Sequence, residues 1–470
     1  MTTLIQNGTV VTATGRHAAD VLVDGTTIAA VLMPGSDAAA SAAAGAERII
    51  DATGKYVVPG GIDCHTHMEL PFGGTFASDT FEIGTRAAAW GGTTTIIDFA
   101  VQKTGENVRD CLEQWFAKAE GECAVDYAFH MIMGGVDDAA LKEMDSLVNE
   151  GITSFKLFMA YPGVFYSDDA QIFRAMQVAA DNGAMICMHA ENGIAIDVLG
   201  EQAAARGQTD PIYHGITRHP RFEGEATNRA IQLALVAGAP VYFVHLSASE
   251  ALERVAEARD QGHNVFAETC PQYLYLNLED HLGAPGFAGA GYVCSPPLRT
   301  KHEHHHADLW QGLRTNDLAI VSTDHCPFCM KDQKELGRDD FRAIPNGIGG
   351  VEHRMDLIYQ GVVMGELTLE RWVETCSTTP ARMFGLYPQK GTISPGSDAD
   401  IVLYDPNATT HLSVDTHHMS MDYSAYEGID IDGKVDTVIS KGKVLIEDGA
   451  YHGAKGDGAY LRRGLSTYLT

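Results

Sequence analysis

Five short stretches carry side chains that could hold a divalent metal. "GIDCHTH" places His65 and His67 two residues apart, and "SFKLFMA" carries Lys156 inside an otherwise apolar run. "MICMHAE" contains His189, "VYFVHLS" contains His245 and "LAIVSTDHCP" contains Asp324. Side chains at i and i+2 of a strand share a face, so the two imidazoles of His65 and His67 reach one point. Imidazole and carboxylate together suit zinc and related divalent ions. Lys156 is the odd member. An ammonium in an apolar strand is costly, and it sheds its proton or finds a partner. Taken alone, it reads as a lysine paired with a carboxylate or snorkelling to the strand end.

Each of these residues lies in or at the end of an apolar run, and the runs form a series. "GGIDCHTH", "TTTIIDFA", "VDYAFHMIM", "SFKLFMA", "MICMHAE", "VYFVHLS", "NVFAETCP" and "LAIVSTDHCP" alternate with amphipathic segments of helix length. Eight strand–helix units are the count of a (β/α)8 barrel, whose active site lies at the C-terminal strand ends. A doubly wound open sheet is the alternative. Four histidines and an aspartate at such ends are hard to explain as separate satisfied polar groups, and the metal reading is preferred.

The flanks are of another kind. "TLIQNGTVVTATG", "ADVLVDGTTIAAVLMPG" and "RIIDATGKYVVPG" are β-branched runs between Asn-Gly, Asp-Gly and Pro-Gly turns, and the pattern returns near Gly391 in "KGTISPGSDADIVLYDP" and "VDTVISKGKVLIEDGAYHG". The expected organisation is an α/β chain: a β-sandwich domain from 1–56 and 386–454, a catalytic barrel over 57–385, and a tail over 455–470 that reads as an oligomer contact arm. The alanine-rich stretch Ala38 to Glu47 is expected to be a surface connection.

Composition excludes some functions. The 470 residues carry a formal charge of −29, so no basic excess exists to neutralise phosphates and nucleic acid is not an expected partner. No apolar run is long enough to span a bilayer, and the start lacks the pattern of a signal peptide. Nine scattered cysteines suggest reduced thiols in a cytoplasm. "CPFC" (Cys326 to Cys329) has redox spacing but no second pair, and its place after Asp324 reads as a barrel loop. "KHEHHH" (Lys301 to His306) reads as a solvated helix face, and "GIGG" (Gly347 to Gly350) lacks the lysine of a phosphate loop.

The stretches "GGIDCHTHMEL", "FKLFMAY", "MHAENG", "HLS", "ETCPQYL", "CSPPLR", "STDHCPF" and "NGIGGVE" resemble the cyclic amidohydrolases, most closely the dihydropyrimidinase and hydantoinase family. "GTISPGSDADIVLYDP" and "HHMSMDYSAYEG" extend the resemblance to the C-terminal part, so it covers nearly the whole chain in the family's order. The resemblance implies that Lys156 is carbamylated by CO2 and bridges two divalent ions, usually zinc, though manganese or cobalt suits a similar donor set. His65, His67 and Asp324 would hold one ion, and His189 and His245 the other. Asp324 would carry the proton, Tyr161 would donate to the oxyanion, and main-chain atoms of Ser295 and Asn346 would bind the ring amide. Met68, Leu70, Phe72 and Phe165 would set preference for the ring substituent. The implied substrates are dihydropyrimidines such as dihydrouracil and dihydrothymine, or 5-monosubstituted hydantoins, opened to N-carbamoyl amino acids by a homotetramer. Allantoinase is a second reading. Dihydroorotase is disfavoured because Glu69 stands where that family has an arginine for the substrate carboxylate. Lys156 argues against a deaminase. A non-catalytic scaffold relative would have lost metal ligands that are all present here.

Overall fold

The computed structural model describes residues 1–469. Eight parallel strands follow one another around a barrel: Gly61–Thr66, Thr93–Val101, Asp126–Ile132, Ser154–Phe158, Met185–His189, Val241–Phe243, Val265–Thr269 and Ile320–Val321. Closure comes just beyond the last strand. His325 bridges Thr66 in parallel, accepting from His67 N at 2.8 Å and donating to His65 O at 3.3 Å. This closure distinguishes the barrel from an open doubly wound sheet, and it joins the strand end bearing Asp324 to the one bearing His65 and His67. Every residue of the fourth and fifth strands is buried, which is why these strands read as continuous apolar runs without alternation.

Both chain ends build a second, nine-stranded sheet. Ile401–His411 pairs antiparallel with Tyr56–Pro59, Ile401 opposite Pro59, and so joins the C-terminal β-segment to the N-terminal one. Inward residues of both ends, among them Ile5, Val21, Val57, Ile401 and Leu403, share one apolar cluster. The fold is a (β/α)8 barrel with a β-sandwich domain.

One local expectation gains detail and one is corrected. The alanine-rich stretch is a helix, Asp37–Gly45, with Ser36 Oγ accepting from Ala39 N at 3.2 Å. It is the expected surface connection, with only Ala39 buried, and it is helical because alanine has the highest helix propensity and serine is a favoured cap. In "KHEHHH", His305 turns inward and accepts from Ser249 N at 3.1 Å, whereas Lys301 to His304 are exposed. The tail lies against its own barrel at the N-terminal ends of the strands. Ala459 O accepts from Tyr127 N, Leu461 N donates to Tyr127 O, and the buried Arg463 donates to Phe129 O and Ser154 Oγ at 2.6 and 2.8 Å. These bonds are to backbone and one hydroxyl, so no hydrophobic period announces them. No helix among the described residues is long and apolar enough to cross a membrane.

Candidate metal centre and ring pocket

The C-terminal strand ends bring the six residues singled out in the sequence into one buried place. His65 Nε2 lies 3.2 Å from His67 Nε2, 2.9 Å from Lys156 Nζ and 3.2 Å from Asp324 Oδ1. Asp324 Oδ1 is 3.3 Å from His67 Nε2. Across the barrel, His189 Nδ1 lies 3.0 Å from His245 Nε2, and the rings of His65 and His245 are 5.2 Å apart. Three residues sit in left-handed backbone: Tyr161 at φ 61°, His245 at 41° and Asp324 at 51°. Such conformations are rare away from glycine and recur at functional sites, where a sharp turn aims the side chain inward.

Hydrogen-bond partners fix which nitrogens carry lone pairs. Glu268 receives Tyr242 OH at 2.6 Å, His245 N at 3.1 Å and the Nδ1–H of His65 at 2.5 Å. His65 Nε2 is therefore bare. Glu191 receives the Nε2–H of His189 at 2.8 Å, which leaves His189 Nδ1 bare. Burial pushes all four imidazoles below their ordinary range, His67 to about 4, so they are neutral. His65 Nε2 faces His67 Nε2 and His189 Nδ1 faces His245 Nε2, while the Nδ1 atoms of His67 and His245 are buried without a partner; a cation among the facing nitrogens would satisfy them. The carboxylate-held imidazole is the usual way a protein orients such a ligand. His65, His67 and Asp324 form the single group of three metal-type ligands with atoms within 4.8 Å among the described residues. The donor set thus fits a divalent metal.

Lys156 is fully buried, with Nζ 4.3 Å from the centre of the Phe99 ring and 5.0 Å from that of Phe158. Burial pushes its ammonium below the ordinary value, towards the neutral amine. Against the raising effect of burial, Arg218 and His189 hold the Glu191 carboxyl below its usual range. Arg218 bonds Glu191 at 2.8 Å and also lies over the Tyr161 ring at 5.6 Å.

The same cavity is lined by Tyr161, Ser295 and Asn346. Asn346 Nδ2 donates to Ser295 Oγ at 3.0 Å and approaches Tyr161 OH at 3.4 Å, and burial pushes the Tyr161 phenol up to about 12. The outer wall is apolar. Phe158, Phe165 and Phe72 stack in series at 5.1 and 6.3 Å, Phe72 meets Tyr161 edge-on at 5.4 Å, and Leu70 closes the side. Met68 does not reach this wall. Its side chain is fully buried, with the sulfur occupying the space a Cβ on Gly84 would need. Three successive residues after His67 cannot all face one cavity. Glu69 also points elsewhere: its carboxylate caps Phe81 N at 3.3 Å, so it does not confront a substrate as the sequence suggested. Glu191, Arg218, Glu268, Phe158 and Cys326 belong to the site and carry no role in the sequence reading. Glu191 and Glu268 lie inside recognised stretches, "MHAENG" and "ETCPQYL". The rule that a ligating histidine needs an oriented partner could have found them.

A barrel with buried histidines, a lysine and an aspartate at its C-terminal strand ends defines a metal-dependent hydrolase of the amidohydrolase type. The amidohydrolase family model matches residues 56–445. The chain is 62% identical over 468 residues to a D-hydantoinase of Streptomyces coelicolor, covering 100% of this chain and 99% of that protein. It is 47% identical over 465 residues to a D-hydantoinase of Geobacillus stearothermophilus, covering 98% and 97%. The crystal structure of a dihydropyrimidinase from Brevibacillus agri superimposes with a TM-score of 0.95 at 47% identity, covering 99% of each chain. The chain belongs to the amidohydrolase family and, within it, to the hydantoinase and dihydropyrimidinase group, hydrolases of carbon–nitrogen bonds in cyclic amides.

Proposed function

We propose that this protein opens the ring amide of 5-monosubstituted hydantoins, and of dihydropyrimidines, to N-carbamoyl amino acids. The observation that carries this reading is the convergence of the bare imidazole nitrogens, Lys156 and Asp324 on the cavity that also holds Tyr161, Ser295 and Asn346. His65, His67 and Asp324 would hold one divalent ion and His189 and His245 a second, both zinc. Lys156, whose ammonium burial pushes towards the neutral amine, would take up CO2 with loss of a proton and so supply an anionic oxygen ligand to the ions. When bound, the ions supply a nucleophile at neutral pH and polarise the scissile carbonyl. Asp324 accepts the nucleophile's proton and returns it to the leaving ring nitrogen. The Tyr161 hydroxyl, kept protonated by burial, donates to the developing oxyanion. Main-chain groups at Ser295 and Asn346 read the alternating N–H and C=O of the ring. The stacked Phe72, Phe165 and Phe158 with Leu70 favour an apolar substituent at ring carbon five. The same reading makes the protein a cytoplasmic homotetramer, and nine free thiols suit a reducing compartment.

The test is hydrolysis of 5-phenylhydantoin, dihydrouracil, allantoin and dihydroorotate side by side, by protein of measured metal content. Opening of the first two is expected. Inactivity on those two with two metals bound per subunit would refute the substrate assignment, and activity confined to allantoin would support the second reading.

A further inference from the structure

The loop after the eighth barrel strand contains a lysine that the chemistry above does not use. Lys334 begins the short turn Lys334–Gly337, and its side chain is completely buried. Its Nζ donates to three main-chain carbonyls: Pro345 O at 2.7 Å, Gly347 O at 2.8 Å and Val293 O at 3.0 Å. Among the described residues it forms no ion pair with a carboxylate, and burial pushes its ammonium down to about 7. A buried ammonium without a counter-ion is costly. A methionine of similar length would fill the space without that cost, so it is the donors that distinguish lysine here.

The three carbonyls belong to the two segments that carry the ring-binding residues. Pro345 and Gly347 flank Asn346, and Val293 stands two residues before Ser295. Val293 O also accepts from Gly347 N at 2.9 Å, and Asn346 Nδ2 donates to Ser295 Oγ across 51 positions of sequence. A planar trans peptide holds its N–H opposite its C=O. Drawing Pro345 O onto Lys334 therefore turns the Asn346 N–H away from Lys334. The chain is tight at this point: Gly347 has φ +155°, and a Cβ there would fall 2.1 Å from Cys326 O. One side chain thus helps fix the spacing and peptide orientation of two segments that are otherwise joined by two hydrogen bonds.

We propose that Lys334 is a positioning residue for ring recognition, holding Ser295 and Asn346 in the register at which their main chain binds the substrate amide. This rests on the reading that Ser295 and Asn346 bind the ring. The test is steady-state hydrolysis of 5-phenylhydantoin by Lys334→Met and Lys334→Gln beside wild type, with metal content and melting curve measured on each. Both variants are expected to hold metal as wild type does. The KM of Lys334→Met should rise about tenfold or more with kcat within about threefold, because uniform binding is lost. Lys334→Gln, whose amide keeps two donors, should fall between. An unchanged KM overturns the proposal, as does a fall in activity that tracks lost metal. Failure of both variants to fold would make Lys334 a general packing residue and overturn it equally. A wild type inert to every cyclic ureide would refute the ring-binding reading itself and this proposal with it. An active wild type with unaltered variants refutes the proposal alone.

Discussion

Glu268→Gln should cost the protein metal, although Glu268 touches no metal in the reading above. Several donors converge on this carboxylate, among them His65 Nδ1, Tyr242 OH, the main-chain N of His245 and the Cys64 thiol. Burial pushes the Glu268 carboxyl up to about 7; in its ionised form it only accepts, and His65 then presents a bare Nε2 to Lys156 and Asp324. A glutamine of the same shape can turn its NH2 towards His65 Nδ1. That drives the ring proton onto Nε2, where it blocks ligation. Removing the partner of a ligating histidine typically lowers metal affinity 10–100-fold. Glu268 orients one ligand's ring and another ligand's backbone, so the upper end applies: about 100-fold, or about 2.8 kcal/mol. Tyr242→Phe removes one bond to the same carboxylate without offering a donor to His65, and it should cost less than about tenfold. Zinc affinity is read by competition with a chromogenic chelator, and kcat is measured at saturating zinc. Equal affinities for Glu268→Gln and wild type would refute the tautomer argument. Equal losses in Glu268→Gln and Tyr242→Phe would show that loosened packing is the cause.

Four further outcomes follow from the same geometry. Lys156→Ala should lose both metals and activity to background, measured by elemental analysis and turnover; full metal content would refute its bridging role. Asp324→Asn should lower kcat by about 10²–10⁴-fold, the usual worth of a general acid–base, while the melting temperature stays within a few degrees. Leu70→Ala and Phe165→Ala should reduce the preference for 5-phenyl- over 5-methylhydantoin by about tenfold, from ratios of kcat/KM; unchanged ratios would remove the apolar wall from the specificity account. Lys390→Met should destabilise the fold by about 3–5 kcal/mol, read by chemical denaturation. Lys390 Nζ is buried between Asp126 and Asp400 at 2.7 Å each and Asp398 at 3.0 Å; Lys441 Nζ also pairs with Asp126 at 2.6 Å, so the loss of Lys390 leaves three carboxylates between barrel and β-domain with one ammonium.

What the sequence discloses about this site depends on where a residue's constraint comes from. His65, His67, Lys156, His189, His245 and Asp324 are legible because each breaks an apolar run, and the runs themselves count out a barrel. The structure finds the histidines and Asp324 at or just past the strand ends, where a barrel requires its chemistry, and Lys156 at the middle of its strand, Ser154–Phe158, with its long side chain reaching His65. Glu268 and Glu191 stand at equally regular places, yet a carboxylate near a strand end has many uses. Only the approach of His65 across 203 positions of chain gives Glu268 its role. Met68 fails for the opposite reason. It is adjacent in sequence to a ligand, but the chain turns after His67 and buries it under Gly84.

Lys334 shows the limit most sharply. A lysine in "KDQKELGRDD" is surrounded by charges that read as a solvated surface, and nothing nearby is apolar enough to suggest burial. It is buried because the loop folds back so that the carbonyls of Val293, Pro345 and Gly347 face one point. Those partners are backbone groups, which every residue possesses and no side-chain pattern records. The ligand set is written in residue types and so can be read along the chain. The arrangement that holds a ring against those ligands is written in peptide orientations, and these exist only once the loops have closed.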